Sequence, residues 1–295
     1  MASRLKDIKF GHCTIEDLAY WINERHSIFV NRFEKELPKP WTDDLILQQY
    51  KFTNCFRQLD KGTLALKEML MRRLINDPDL LLFNVIWYRL FNWYEHAQEL
   101  GFCHYQTLEN YIQKRFHTHK KIFTSAHMTR GVSCENKHDT YLRAARKVWD
   151  RRHIFVEKII VAGTMEQVFN ELLDLYMVGR FVAYEITCDL RFTQLLENAT
   201  DKLTWANMGP GAQRGLKRLG LPHKNQKEGL ASMRKLYGEL PHYLSYEVFR
   251  HRLPGTDYKN PPFELREVEH SLCEMDKYMR VKMNEGRPHS KYPGI

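Results

Sequence analysis

The six cysteines (Cys13, Cys55, Cys103, Cys134, Cys188, Cys273) include no C-x-x-C pair and no tight run of four. A zinc knuckle, a ribbon, a thioredoxin-like site or a cysteine-ligated iron–sulfur cluster needs such spacing, so these classes are excluded. Free thiols in a reducing compartment are what remains. No segment approaches the roughly 20 uninterrupted apolar residues of a membrane-spanning helix. The opening MASRLKDIKFGH has no apolar core behind its charges and does not read as a signal peptide. Low-complexity tracts, internal repeats and Gly/Ser linkers are also missing. A soluble, folded, cytoplasmic protein is expected, with no membrane partner.

Phosphate loops of the two common kinds are missing too. Gly209 and Gly215 are one residue too far apart for G-x-x-x-x-G-K-[ST], and Leu216 follows where lysine is required. A dinucleotide fingerprint needs a strand before its glycines, and DKLTWAN is not a convincing one. Binding of free ATP or NAD is therefore disfavoured.

What is present is an apolar content of 43%, of which aromatics make 13% of the chain, spread over 295 residues. That length buries one large core or two modest ones. Lys plus Arg number 45 against 36 Asp plus Glu, a net charge of +9, which favours polyanionic partners such as nucleic acid.

Helical periodicity dominates, so the expected fold is mostly α, in a single body or two tightly packed helical lobes. TIEDLAYWINERHSIFVNRFEKEL starts on a T-x-x-D signature resembling a capping box, and PKPW ends it. TDDLILQQYKFTNCFRQLDKGTLALKEMLMRRLI reads as one or two helices, with Gly62 as the break. PDLLLFNVIWYRLFNWYEHAQELG reads as a buried central helix and TLENYIQKRFHTHKKI as a more polar one. Further helices are expected in TYLRAARKVWDRRHIFVEKII, TMEQVFNELLDLYMVGRFVAYEITCDLRF and PFELREVEHSLCEMDKYMRVKMNEG, before a polar, mobile tail at 286–295.

Four stretches could carry chemistry. In LLDLYMVGRFVAYEITCDLR a helix is interrupted at MVGR and restarts, the pattern of a helix–hairpin–helix near 166–191 in which Gly179 lets the chain reverse towards a DNA phosphate. A plain αα-turn fits as well. Arg180 and Arg191 flank the second helix as candidate DNA contacts. Asp189 stands where helix–hairpin–helix glycosylases place a catalytic carboxylate, although an ordinary salt bridge would also explain it. QYKFTNCFRQLD mixes Tyr50, Phe52 and Phe56 with Lys51, Asn54 and Arg57, a set suited to stacking an extrahelical base and holding its phosphates. The plain alternative is an amphipathic helix with its aromatics inward. EVEHSLCEMDKY sets Glu267, His270, Glu274 and Lys277 on one helical face, with Glu269 and Cys273 adjoining, for proton transfer or an ion-pair ladder. TWANMGPGAQRGLKRLG opens a helix on Gly209 and Gly211 and carries Arg214, Lys217 and Arg218, a phosphate site at a helix start.

Together, PWTDDLILQQYKFTNCFRQLDKGT, RFVAYEITCDLR, TWANMGPGAQRGLKRL and REVEHSLCEMDKYMR resemble, in this order, the alpha-glutamyl/putrescinyl thymine pyrophosphorylase family. That family is akin to the helical domain attached to 5-hydroxymethyl-deoxyuridine DNA kinases. The resemblance covers roughly residues 10–285, and the missing P-loop makes the chain look like the stand-alone form without the kinase half. It implies one all-α, helix–hairpin–helix, DNA-glycosylase-like domain over 1–285. It also implies a role in thymine hypermodification of bacteriophage DNA, within the host cytoplasm.

The implied reaction replaces the pyrophosphate on a 5-hydroxymethyl-deoxyuridine of double-stranded DNA with the amine of an amino acid or polyamine. A 5-hydroxymethyluracil DNA kinase would supply the substrate. Under this reading Gly209, Gly211, Arg214, Lys217 and Arg218, then Lys51 and Arg57, stabilise the leaving pyrophosphate. Asp189, or His270 with Glu274, serves as general base. Tyr50, Phe52 and Trp205 stack the flipped base, and Asn54 or Asn207 reads its edge. No cofactor or metal is implied, and help from a divalent ion is left open. A glycosylase or lyase excising a modified base, and a non-catalytic DNA-binding partner of the kinase, remain as alternatives.

Overall fold

The computed structural model describes residues 12–71, 76–124, 127, 131–250, 263–288 and 291. The charged start at 1–11 and most of the expected polar tail lie outside the described residues. Regular structure is helical, as predicted: α1 (Ile15–Phe29), α2 (Leu45–Gln49), α3 (Lys61–Met71), α4 (Pro78–Phe91), α5 (Tyr94–Glu99), α6 (Tyr105–His117), α7 (Lys137–Ala162), α8 (Met165–Leu172), α9 (Arg180–Leu190), α10 (Pro210–Arg218), α11 (Gln226–Glu239), α12 (Tyr246–Arg250) and α13 (Leu265–Lys282). Among the described residues β pairing is confined to an isolated antiparallel bridge between Tyr50 and Lys291. The chain falls into two compact units, one drawn from Met1–Asp60 and Lys202–Ile295 and the other from Lys61–Asp201.

In the first unit, α1 starts as its sequence predicts: the Thr14 N–H donates to Asp17 Oδ2 at 3.0 Å. Leu18, Trp21, Ile22 and Ile28 form its buried stripe. The helix widens into a π-helical turn at Val30–Glu34 and ends before PKPW. The next stretch departs from expectation. Helix α2 stops at Gln49, residues 50–56 are irregular, a 3-10 turn covers Arg57–Leu59, and α3 restarts at Lys61 with Gly62 inside it. Side chains decide this break rather than the glycine. Asp60 Oδ1 accepts from both the backbone N–H and the Nδ2 of Asn54 at 2.9 Å, closing a loop that competes with helix. Arg25 Nε and Nη2 then donate to the Phe52 carbonyl at 3.4 and 3.3 Å.

Helix α10 starts with Gly209 as N-cap and Pro210 at its first position, so the GPG turn does open a helix. Its remaining glycines serve close packing. A Cβ on Gly211 would stand 2.1 Å from Cys273 Sγ, and one on Gly215 would stand 2.5 Å from the Leu272 carbonyl oxygen. The backbone of α10 therefore lies directly on α13. Helix α11 follows without having been expected, because Gly229, Gly238 and many charged positions dilute its pattern.

In the second unit, every residue of α4 from Leu80 to Phe91 is buried. That helix ends on Asn92, whose left-handed φ of 49° caps it, so the long apolar run is two helices rather than one. Helices α8 and α9 are joined by the turn at 173–179, where the sequence suits a helix–hairpin–helix or a plain αα-turn. The left-handed residue of the turn is Met177, at φ 65°, whereas Gly179 is an ordinary extended N-cap. Val178, between them, is buried.

Gly215→Ala is expected to cost about 1–3 kcal/mol, since a methyl group at the α10–α13 contact meets backbone. Gly238→Ala, with open space around its Cβ position, is expected to raise stability by about 0.5–1 kcal/mol. Urea unfolding of both variants checks this, and equal midpoints would rule out the close contact.

Candidate functional site

Helix α13 gathers most of the expected site residues in the first unit. Glu269 Oε1 accepts the Gly209 N–H at 3.1 Å, and Glu269 Oε2 lies 3.2 Å from His270 Nδ1. The α10 start was expected to hold a phosphate; the anion at its N-cap is the Glu269 carboxylate of the same chain. A turn further on, Glu274 Oε2 accepts the Thr53 N–H at 3.0 Å and Lys277 Nζ at 2.7 Å. The single face expected for Glu267, His270, Glu274 and Lys277 thus divides between two neighbouring elements.

Further along, Asp276 is fully buried among arginines. Arg214 Nε reaches it at 2.7 Å, Arg218 Nε at 2.9 Å and Arg280 Nε at 3.4 Å, while Arg218 Nη2 also meets Glu285 at 2.5 Å. Three guanidiniums around two carboxylates leave positive charge in excess. Arg218 itself is buried, whereas Arg214 and Arg280 keep some exposure.

Beneath the start of α13 lies a buried ionic cluster. Arg266 Nε stands 3.0 Å from Glu267 Oε1 and 3.5 Å from Glu264 Oε2, and the Glu264 N–H donates to Glu267 Oε2 at 2.9 Å. Arg57 Nε meets Asp60 Oδ2 at 2.8 Å. Cys55 nearby is buried. Burial pushes that thiol up to about 12, so it is not a nucleophile at neutral pH. Burial also raises the Glu267 carboxyl above its usual range, opposed by Arg266 and reinforced by Glu264. Asp60 is raised by burial too, with Arg57 and the Asn54 N–H pulling back. His26 packs edge-on against Phe56 at 5.1 Å, and Phe56 against Phe263 at 5.7 Å, closing the cluster with aromatic walls. Both carboxyls are shifted upward chiefly by burial.

The residues expected to stack and read a base are core residues. Phe52 packs between Trp21 and Tyr278, with centroid distances of 6.4 and 6.3 Å, and Lys277 Nζ sits 4.6 Å from its ring centre. A base would have to displace Lys277 to stack there. Tyr50, Trp205 and Asn207 are buried, and Asn54 is held on Asp60. Lys51 is exposed, and Lys217 is half-buried.

The other expected residues belong to the second unit. Asp189 is buried, its two oxygens engaged by Arg89 Nε and, at 2.7 Å, by Arg89 Nη2. Glu185, one turn earlier on α9, lies 3.4 Å from Arg89 Nη1, and Asn92 Oδ1 accepts from the same nitrogen at 3.2 Å. This centre pins α4 to α9. Arg180 is exposed over the Phe169 ring at 5.1 Å, and Arg191 Nη1 donates to the Leu196 carbonyl at 3.1 Å, securing the turn after α9. Sequence reading missed Arg25, Arg89, Glu185, Glu264 and Arg266. The consecutive charges around Glu264 were legible as polar but not as interior. Among the described residues no three His, Cys, Asp or Glu side chains group as a metal site, and no helix is long and apolar enough to cross a membrane.

These features define an all-helical protein in which each unit buries an ionic centre. The family model described as "5-hmdU DNA kinase, helical domain" matches residues 13–287, and the chain belongs to that family. It is 26% identical over 298 residues to the 5-hmdU DNA kinase of Bacillus phage SP10, an alignment covering 90% of this chain and 45% of that kinase. The chain thus spans less than half the length of this relative. No solved structure matches.

Asp189→Asn is expected to cost about 3–5 kcal/mol of stability, the consequence of leaving Arg89 buried without its charge partner. Chemical denaturation measures it, and an unchanged midpoint would show that the pair is not structural. For Glu267 the sign follows from its raised carboxyl. The folded state holds a proton that the unfolded state has released, so this group's contribution falls as pH rises above the usual carboxylate range near 4.5. Glu267→Gln should flatten that fall in urea titrations between pH 5 and 8. A parallel pH profile for variant and parent would contradict the assignment.

Proposed function

We propose that the chain modifies DNA in which a 5-hydroxymethyluracil carries pyrophosphate, replacing that pyrophosphate with the amine of an amino acid or polyamine. The match of residues 13–287 to the helical domain of 5-hmdU DNA kinase carries this reading. The Gly209–Glu269–His270 relay supports its chemistry. A C–N bond forms at the methylene carbon attached to C5 of the base. The C–O bond breaks, pyrophosphate departs with the electron pair, and the attacking amine must give up a proton.

His270 is the proton acceptor in this scheme. Glu269 Oε2 faces the ring at 3.2 Å from Nδ1, and the Gly209 N–H holds Glu269 in place. Glu269 is a positioning residue, and Glu274 adds negative charge one turn away. The cationic surplus about Asp276, through Arg214 with Lys217 beside it, suits the departing pyrophosphate. Asp189 is given the structural role that its buried pairing requires.

The test incubates the protein with pyrophosphorylated DNA and a panel of amines, then digests the DNA to nucleosides for mass spectrometry. A new amine adduct is the expected product. An abasic site would instead mean base excision, and unchanged nucleosides with tight binding would mean a non-catalytic DNA-binding partner. His270→Gln should lower turnover by about 10²–10⁴ while leaving DNA affinity unchanged. Full turnover in that variant removes His270 from the mechanism.

A further inference from the structure

Basic charge is unevenly distributed along the chain. Residues 202–295 hold 17 Lys and Arg against 10 Asp and Glu, while the whole chain has 45 against 36. This stretch therefore supplies most of the excess. Within it, Leu221, Pro222, Asn225, Lys227, Glu228, Ala231, Ser232 and Lys235 line an open groove of about 680 Å³ between α11 and the turn that leads into it.

Hydrogen bonds tie the walls of the groove together. Ser232 Oγ donates to the Pro222 carbonyl at 2.7 Å, and Gln213 Nε2 from α10 donates to the His223 carbonyl at 2.9 Å. Glu228 is the acid of the lining, and hydrogen bonds occupy both its oxygens: Oε2 accepts the Lys224 N–H and Oε1 the Asn225 Nδ2, each at 3.0 Å. Lys224 and Lys227 are exposed, and their side chains have no ion-pair partner among the described residues. Lys235 has only an exposed i,i+4 contact with Glu239 at 3.9 Å. Lys227 and Lys235 share a face of α11 about 12 Å apart along the axis, which spans several phosphates of a duplex strand.

Helix α7 of the second unit is also rich in cations, but acids answer many of them. Arg143 pairs with Glu135, Arg146 with Asp150 at 3.0 Å, and Lys158 with Glu171 at 2.6 Å.

We propose that the α11 groove is the surface on which the sugar–phosphate backbone of duplex DNA docks, positioned by Lys224, Lys227 and Lys235. This rests on the reading that DNA is the substrate. The apolar floor of Leu221, Pro222 and Ala231 faces the sugars, and the lysines displace counterions from the phosphates.

Fluorescence anisotropy with an unmodified 20-base-pair duplex, titrated over a range of salt, tests it. The Lys224→Gln/Lys227→Gln/Lys235→Gln variant should bind about tenfold more weakly or worse, and its slope of log K against log salt should be shallower by roughly 2–3. A Lys147→Gln/Arg151→Gln control on α7 should bind like the parent. If the parent binds duplex and the triple variant matches it in affinity and slope, the docking surface is wrong while the DNA reading stands. If the parent does not bind duplex at all, both fail. Loss confined to binding of phosphatidylserine vesicles would also overturn the proposal, making the groove a membrane contact.

Discussion

The contact of α10 on α13 is the constraint from which the first unit follows. Gly211 and Gly215 let backbone meet backbone where any Cβ would collide with Cys273 or with the Leu272 carbonyl. That approach brings the start of α10 within reach of Glu269, whose carboxylate caps it. A carboxylate at a helix start is favoured by the helix dipole, so packing and electrostatics reinforce one another. The same carboxylate then orients His270. Glycine spacing on one helix thereby settles the geometry of a polar pair on another.

Both units bury charge, and doing so is costly. Taking ions out of water costs several kcal/mol each, and a well-packed apolar replacement often does as well or better. In the second unit the cost is offset by a bidentate arginine–carboxylate pair with Glu185 and Asn92 in support. The first unit is less balanced. Glu267 and Asp60 sit in burial that favours their neutral forms, held only partly by Arg266 and Arg57.

Membership of the 5-hmdU DNA kinase helical-domain family directs the functional reading towards modified DNA. The relative's name describes a protein more than twice the aligned length, so the activity proposed for this chain depends on its own site. In the first unit the proposal draws on the His270–Glu269 pair of α13, the arginines around Asp276 and the exposed lysines of α11. The glycine turn first suggested a place for phosphate. In the structure the start of α10 holds the Glu269 carboxylate.

Much of the fold was legible because helices advertise themselves locally. The Thr14 capping signal, the GPG opening of α10 and the amphipathic run of α13 each depend on residues within a turn or two of one another, and each appears where expected. The candidate site was legible only as residue types. His270, Glu269, Glu274 and Arg214 were singled out because their types and helical spacing point to chemistry. Their partners were hidden, since Thr53 meets Glu274 across 221 positions and Asp44 meets Tyr278 across 234. Phe52 and Tyr50 looked like a stacking surface because composition records aromatic rings but not which way they face. The sequence by itself determined the helices, the basic excess and the residue types available for proton and phosphate chemistry. Only the tertiary structure decided which of those charges are spent on one another, because pairing and burial depend on distances between segments that the chain order does not encode.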